Sequence, residues 1–163
     1  MRKQYTIGVE FGTLSARAVL ADLETGEILA DSVSVYANAV LDRQLPETGE
    51  ALPAGWALED PADWEEALYA TISGVIRKSG VKPEKIIGVG VDFTSATVLP
   101  LDQNGRPLCQ DPAFRHEKNA WPKLWKHHGA RKQAVKIRRV LESMDPERLA
   151  SNFQLAGAES EPA

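Results

Sequence analysis

Three short stretches of this 163-residue chain combine residue types that can do chemistry on small polar ligands. The first is Glu10-Phe-Gly-Thr-Leu-Ser-Ala-Arg17. A carboxylate at the end of an alternating run leads into a tight turn, where Gly12 lets the backbone come close to a ligand. Consecutive turn amides and the hydroxyls of Thr13 and Ser15 can donate to phosphate oxygens, and Arg17 can add a charge-assisted contact. The plain alternative is an ordinary hairpin turn with a solvated glutamate. The second stretch, Asp92-Phe-Thr-Ser-Ala-Thr97, follows a continuous apolar run. Ligands gather at the carboxyl ends of strands in α/β sheets, and Thr94, Ser95 and Thr97 offer hydroxyls to a sugar. The alternative is a strand end whose Ser and Thr satisfy local backbone. The third stretch holds Trp121, Trp125 and Lys126. An indole is a platform for the apolar face of a sugar, and a lysine reaches a hydroxyl. Equally, Trp121, Leu124 and Trp125 share a helical stripe and can simply be core. His127 and His128 diverge by about 100° as helical neighbours, so they are assigned no metal. Cys109 has no histidine in a nucleophile motif and reads as structural.

The elements that must hold these residues follow from periodicity. Tyr5, Ile7, Val9 and Phe11 alternate with more polar neighbours, which predicts a strand. Residues 16–23 and 28–36 give two more, joined through turns at Gly12 and at Glu24-Thr25-Gly26-Glu27. Short turns require antiparallel neighbours, so the chain opens with a β-meander. Residues 38–58, with Pro46, Gly49, Pro53 and Gly55, form a long connection of the kind that is functional or poorly ordered. Asp60 as N-cap, Pro61 in the first turn and Gly80 as terminator delimit a helix with an apolar face through Trp64, Ala67, Leu68, Ile72, Val75 and Ile76. Ile-Ile-Gly-Val-Gly-Val-Asp-Phe at 86–93 predicts a central strand covered on both faces. A short strand is expected at 97–101, and a second helix from about residue 119 past His128. Residues 146–163 read as a flexible tail.

Composition narrows the classes. Hydrophobic residues make up 43% of the chain, enough for a real core in one domain. No apolar run reaches the roughly 18–20 residues a membrane-spanning helix needs. A net charge of −4 gives no nucleic-acid or membrane signature. The basic stretch at 118–141 reads as a solvated helix face. The one cysteine fits a reducing compartment, and the basic start lacks a signal-peptide core, so the expected location is cytoplasmic.

Taken together, Tyr5-Thr-Ile-Gly-Val9, the Glu10–Arg17 hairpin, Gly88-Val-Gly-Val-Asp-Phe-Thr-Ser95 with Thr97-Val-Leu-Pro100, and Trp121-Pro-Lys-Leu-Trp-Lys-His-His128 resemble the FGGY carbohydrate kinases, and the last two segments resemble their ribulokinase branch. The resemblance implies an α/β fold, a partial first lobe of the actin/hexokinase-type (RNase H-like) ATPase fold spanning residues 1–145. It implies ATP and Mg²⁺ as cofactors and L-ribulose of the L-arabinose route as substrate. Glu10, Gly12, Thr13, Ser15 and Arg17 would line the phosphate and Mg-ATP site, with Glu10 standing where most members have Asp. Asp92, Thr94, Ser95, Ala96, Trp121, Trp125 and Lys126 would face the sugar.

Phosphoryl transfer also needs a base and a nucleotide clamp. The family draws both from later sequence, so no catalytic residue is assigned here, and the chain is expected to be a truncated, inactive portion of such a kinase. Two alternatives stay open: a kinase for another ketopentose or polyol, and a non-catalytic binding module that keeps half a lobe.

Overall fold

Alternation along β1 (Tyr5–Phe11) sends Tyr5, Ile7 and Val9 to one buried face. β2 (Ser15–Asp22) and β3 (Ile28–Val35) follow as antiparallel neighbours, as the short turns require. β4 (Ile86–Phe93) pairs parallel to β1, giving a mixed sheet of order β3-β2-β1-β4. The computed structural model describes residues 3–144; the expected tail at 146–163 lies outside them. The described chain divides into two compact units, one ending at His127 and one beginning at His128.

Helix α1 (Pro61–Ser79) has the predicted boundaries. The Asp60 side chain accepts from the Ala62 N–H at 3.0 Å, Pro61 opens the first turn, and Gly80 ends the helix at φ 66° with its N–H on the Ile76 carbonyl. Its inner face lies on β2 and β3 and reaches β1, closing a core of Tyr5, Ile7, Val9, Ala18, Leu20, Ala30 and Val75. Gly74 makes the close approach possible, because a Cβ there would lie 2.9 Å from Ser32 Cβ and closer still to its Oγ.

The 38–58 connection is neither a strand nor loosely attached. Leu41 and Leu58 exchange backbone hydrogen bonds of 2.9 Å, and Leu45, Leu58, Cys109, Ala120 and Trp121 form a second buried cluster with Leu41. Burying leucines there stabilises by about 1.5–3 kcal/mol each, which explains how an irregular segment holds one shape.

Three expectations are corrected. The helix expected from 119 past His128 is absent: a single 3₁₀ turn (Lys118–Ala120) is followed by Pro122 and by extended backbone whose Lys123 bridges Leu58 and Val98. Proline disfavours helical backbone at the residue before it, which here is Trp121. Helix α2 (Arg131–Met144), in the second unit, begins later. Residues 97–101 form isolated bridges instead of a strand, Val98 with Lys123 and Leu101 with Pro107. Finally, β4 is an edge strand, with Val89 at 53% and Phe93 at 69% exposure. α1 packs mainly on β3 and β2 and does not cover it, and no described strand pairs beyond it.

Two expectations follow. Gly74→Ala should destabilise the first unit by about 1–3 kcal/mol through overpacking, despite alanine's better helix propensity. Adding Ser32→Gly should recover part of that loss, read as a positive coupling in a double-mutant cycle by urea unfolding. The exposed β4 row should make the 163-residue chain enhance the fluorescence of a dye for apolar surface and self-associate as concentration rises. Val89→Lys should suppress both while moving stability by under about 0.5 kcal/mol; a variant that still self-associates would remove β4 from the explanation.

Candidate functional site

Because β1 and β4 run parallel, their carboxyl ends deliver the Gly12–Leu14 turn and the 94–97 turn to one edge of the sheet. Thr94 fastens them together: its N–H and its Oγ1–H both donate to the Phe11 carbonyl, at 2.9 and 3.0 Å. The third stretch arrives by a separate route. Val98 and Lys123 exchange backbone hydrogen bonds of 3.1 and 2.9 Å, and two residues later Trp125 Nε1 donates to Thr13 Oγ1 at 3.4 Å. Residues more than 100 positions apart thus meet at one hairpin.

The predicted residues divide between the two faces of the sheet. Glu10 pairs with Arg17 across β2 and with Asp92 across β4, so these three form a row on the face away from α1, over Gly8 and Gly90. Asp92 therefore sits with the residues assigned to phosphate and Mg²⁺, apart from the rest of its own stretch. On the α1 side, Gly12, Thr94 and Ala96 line a pocket of about 340 Å³ with Phe11, Trp64, Val91, Phe93, Thr97 and Leu99. Ser95 is exposed in the turn, and Ala96 takes φ 60°, a left-handed conformation uncommon for a residue with a side chain.

The hairpin suits an anion in its donor set, although one backbone donor is already taken. The Gly12 N–H is committed to the Ser15 carbonyl at 3.0 Å, so the hydroxyls of Thr13 and Ser15 and the Arg17 guanidinium are the side-chain donors left for phosphate. A Cβ on Gly12 would stand 3.3 Å from that same carbonyl, so the tight turn favours glycine. Glu10 is an exposed carboxylate beside them, as orienting a hydrated divalent cation requires.

Trp121 is a correction. It is 4% exposed within the second core, and its Nε1 donates to the Arg115 carbonyl at 3.0 Å. It packs within that core with Leu41, Leu45, Leu58, Cys109 and Ala120. Trp125 and Lys126 are exposed. His127 accepts the Ala57 N–H through Nδ1 at 3.2 Å and stands edge-on to Trp56 at 4.7 Å, a structural role. Burial and, secondarily, Asp60 push the Cys109 thiol up to about 11, which keeps it an inert thiol.

Glu59 does not stand out in the sequence, yet it belongs to this region. It is 3% exposed, lines the pocket, and its Oε1 has no hydrogen-bond partner. Burial pushes its pKa up to about 7, opposed by Lys126 and reinforced by Asp63. The nearby Tyr36 hydroxyl, also without a partner, is pushed up to about 12 by burial and then by Glu59, Asp63 and Glu10. The available signal is a carboxylate directly after Ala57-Leu58, one residue before the N-cap, a position that needs no acid for capping.

A mixed sheet with a polar edge at the parallel strand ends is the first-lobe architecture of sugar kinases with the actin/hexokinase-like fold. The xylulose kinase of Rhodospirillum rubrum superposes with a TM-score of 0.60 at 19% identity, over 83% of this chain and 23% of that one. Residues 5–144 match the N-terminal domain of the FGGY family of carbohydrate kinases, and the chain belongs to that family. Its relatives include the ribulokinase of Geobacillus thermodenitrificans, 50% identical over 134 residues, and that of Anoxybacillus flavithermus, 49% identical over 134 residues. Each alignment covers 82% of this chain and 24% of the relative, so the chain spans about a quarter of the length of these proteins.

The buried carboxylate generates a pH prediction. Glu59 has a folded pKa of about 7 against an ordinary 4.5, so the folded state holds its proton more tightly. The stability it contributes is full below about pH 4.5 and is lost as pH rises through about 7. Between pH 5 and 8 that amounts to about 2–3 kcal/mol. Lys126 and Asp63 act electrostatically on the same group, which in turn acts on Tyr36. Urea unfolding of Glu59→Gln should show a pH dependence flatter by that amount; an unchanged slope would mean that the carboxyl titrates normally.

Proposed function

We propose that this chain supplies the sugar-binding wall and the phosphate hairpin of an ATP-dependent ribulokinase, which transfers the γ-phosphoryl group to the terminal hydroxyl of L-ribulose in L-arabinose breakdown. The observation that carries the reading is the joining of three separated segments at one edge, in a chain half-identical to ribulokinases over 134 residues. In this reading Thr13, Ser15 and Arg17 hold phosphate oxygens, and Glu10 orients the hydrated Mg²⁺. Thr94, Ser95 and Ala96 form the floor beneath the sugar, and Trp125 stacks on its apolar face with Lys126 beside a hydroxyl. ATP with Mg²⁺ supplies the phosphoryl group and neutralises its developing charge.

Atom balance states what else is needed. The acceptor oxygen bonds to the γ-phosphorus, the bond to the bridging oxygen breaks, ADP leaves, and the acceptor proton goes to a base. The family resemblance puts that base, and the clamp on adenosine, in the three quarters of the relatives that this chain does not match. The exposed β4 supports the same reading, since a self-contained binding module would cover such a strand. Residues 1–145 are proposed as the domain portion and the cytoplasm as its location; among the described residues no helix is long and apolar enough to cross a membrane.

A chimera tests this directly. The 163-residue chain alone should release no ADP in a coupled assay with L-ribulose and MgATP. Residues 1–144 fused to the unmatched part of the Geobacillus thermodenitrificans ribulokinase should turn over. In the chimera, Trp125→Ala should lower kcat/KM for ribulose by about tenfold, a loss of roughly 1.4 kcal/mol, with KM for ATP unchanged. Thr13→Val should raise KM for ATP. A chimera that prefers D-xylulose or glycerol over ribulose would overturn the substrate, and ribulose-dependent turnover by the chain alone would overturn the division of labour.

A further inference from the structure

The pocket on the α1 side holds two polar atoms that the fold leaves without partners. Its walls are mainly apolar, with Phe11, Trp64, Phe93 and Leu99 among them. Into this surface come Glu59, whose Oε1 is buried and unpaired, and Thr97, whose Oγ1 is buried and unpaired. An unpaired buried polar atom is destabilising, and a carboxylate more so, so each needs an explanation. The fold is able to satisfy acids nearby. Asp63, four residues on and equally buried, accepts from Asn38 N at 3.0 Å and Asn38 Nδ2 at 3.2 Å. Asp22, at the other edge of the sheet, accepts the Glu24 and Thr25 amides at 2.8 and 3.2 Å. Glu59 stands out against both.

The chemistry of the two atoms selects a ligand class. Above about pH 7, where Glu59 is ionised, its carboxylate only accepts, whereas a threonine hydroxyl both donates and accepts. One alcohol group, donating to Glu59 and accepting from Thr97, would satisfy both at once. A phosphate carries at least one full negative charge at neutral pH and would be repelled by the carboxylate. A divalent cation wants several oxygen ligands, and no group of three or more acids and histidines suited to a metal occurs among the described residues. A purely apolar molecule would fit the walls and leave both atoms unpaired. Thr94 does not compete, because its hydroxyl donates to the Phe11 carbonyl. The left-handed backbone at Ala96 is the bend that precedes Thr97 as it enters the pocket.

We propose that Glu59 and Thr97 form a hydroxyl-recognition subsite that selects a neutral polyhydroxylated ligand, its C–H face against Trp64 and one alcohol between the two side chains. The subsite rests on the sugar-kinase reading and adds to it a specificity-determining pair separate from the Trp125 platform.

The test uses the 163-residue chain, ¹⁵N-labelled, titrated with L-ribulose, glycerol and inorganic phosphate while amide shifts are followed. L-ribulose should move the amides of Glu59, Ala96 and Thr97, and phosphate should not. Glu59→Leu should raise Tm at pH 8, because an unpaired buried charge is gone, and yet weaken ribulose binding at least tenfold. Glu59→Gln, which keeps the shape, should weaken it severalfold, as should Thr97→Val. If Glu59→Leu does not fold, the Gln variant decides alone. Affinity unchanged in Glu59→Gln, or no response of Glu59 and Thr97 to either alcohol at 100 mM ligand (about the millimolar-to-molar range where single-subsite binding falls), overturns the subsite and leaves an internal water as the partner of both atoms. Ribulose shifts confined to Trp125 and the hairpin would overturn the subsite and leave the kinase reading intact. Shifts at Glu59 and Thr97 with glycerol but not ribulose would support the subsite and overturn ribulose as the substrate.

Discussion

The Phe11 carbonyl, accepting from both the N–H and the hydroxyl of Thr94, is the constraint on which the site depends. Parallel strands cannot be joined by a tight turn, so β1 and β4 meet only after the chain has built β2, β3 and α1 between them. Their pairing runs in register to Phe11 opposite Phe93 and would end there with two independent loops. The double donation from Thr94 carries the contact one residue further, onto the turns themselves. Everything polar at this edge, from Gly12 to Thr97, is then positioned by strands and not by loops. The caps of α1 serve the same end, since Asp60 fixes where the helix starts and thereby where Glu59 is held.

Strand periodicity then separates the chemistry into two faces. Asp92 and Phe93 are neighbours in sequence and so must point to opposite sides of the sheet. The residues of charge, Glu10, Arg17 and Asp92, share the open face, while Phe11, Val91 and Phe93 share the face toward the pocket. Two carboxylates side by side on adjacent strands repel, and such a pair is favourable only with a counter-charge at hand. Arg17 stands on one flank, and the open face leaves room for another cation. On the pocket side the strand residues are apolar and Glu59 is the carboxyl that enters, and an alcohol is the polar group best matched to it.

Much of this is legible in the sequence wherever local rules decide. Asp60, Pro61 and Gly80 delimit α1 because capping is set by adjacent backbone groups, and alternation delimits β1 for the same reason. What is not legible depends on distant residues. Trp121, Leu124 and Trp125 have helical spacing, yet Pro122 and the bridge from Lys123 to Val98 hold that segment extended, which buries Trp121 and turns Trp125 toward Thr13. The apolar run of β4 reads correctly as a strand, but whether its faces are covered is a question about elements elsewhere. Glu59 is illegible as a ligand group because burial of a carboxylate is a tertiary fact, invisible in a stretch that looks like an acidic helix start.

The distribution of unfavourable features separates folding from function. At the edge formed by the β2–β3 turn, Asp22 is satisfied by two amides and Gly26 supplies the left-handed residue without a Cβ penalty. At the opposite edge, Tyr36, whose N–H reaches the Leu14 carbonyl, has an unpaired hydroxyl; Glu59 and Thr97 are unpaired as well; and Ala96 takes a backbone conformation that suits glycine better. Folding alone drives polar atoms toward partners wherever they are buried, and this chain achieves that at one edge. Left-handed backbone also occurs at Ala39 and Glu47 in the 38–58 connection, but the orphaned side-chain atoms gather here, and they are costs that stability does not explain. They are explained if the missing partners are the hydroxyls of a ligand, because a site whose acceptors were already satisfied from within would have nothing left to bind it.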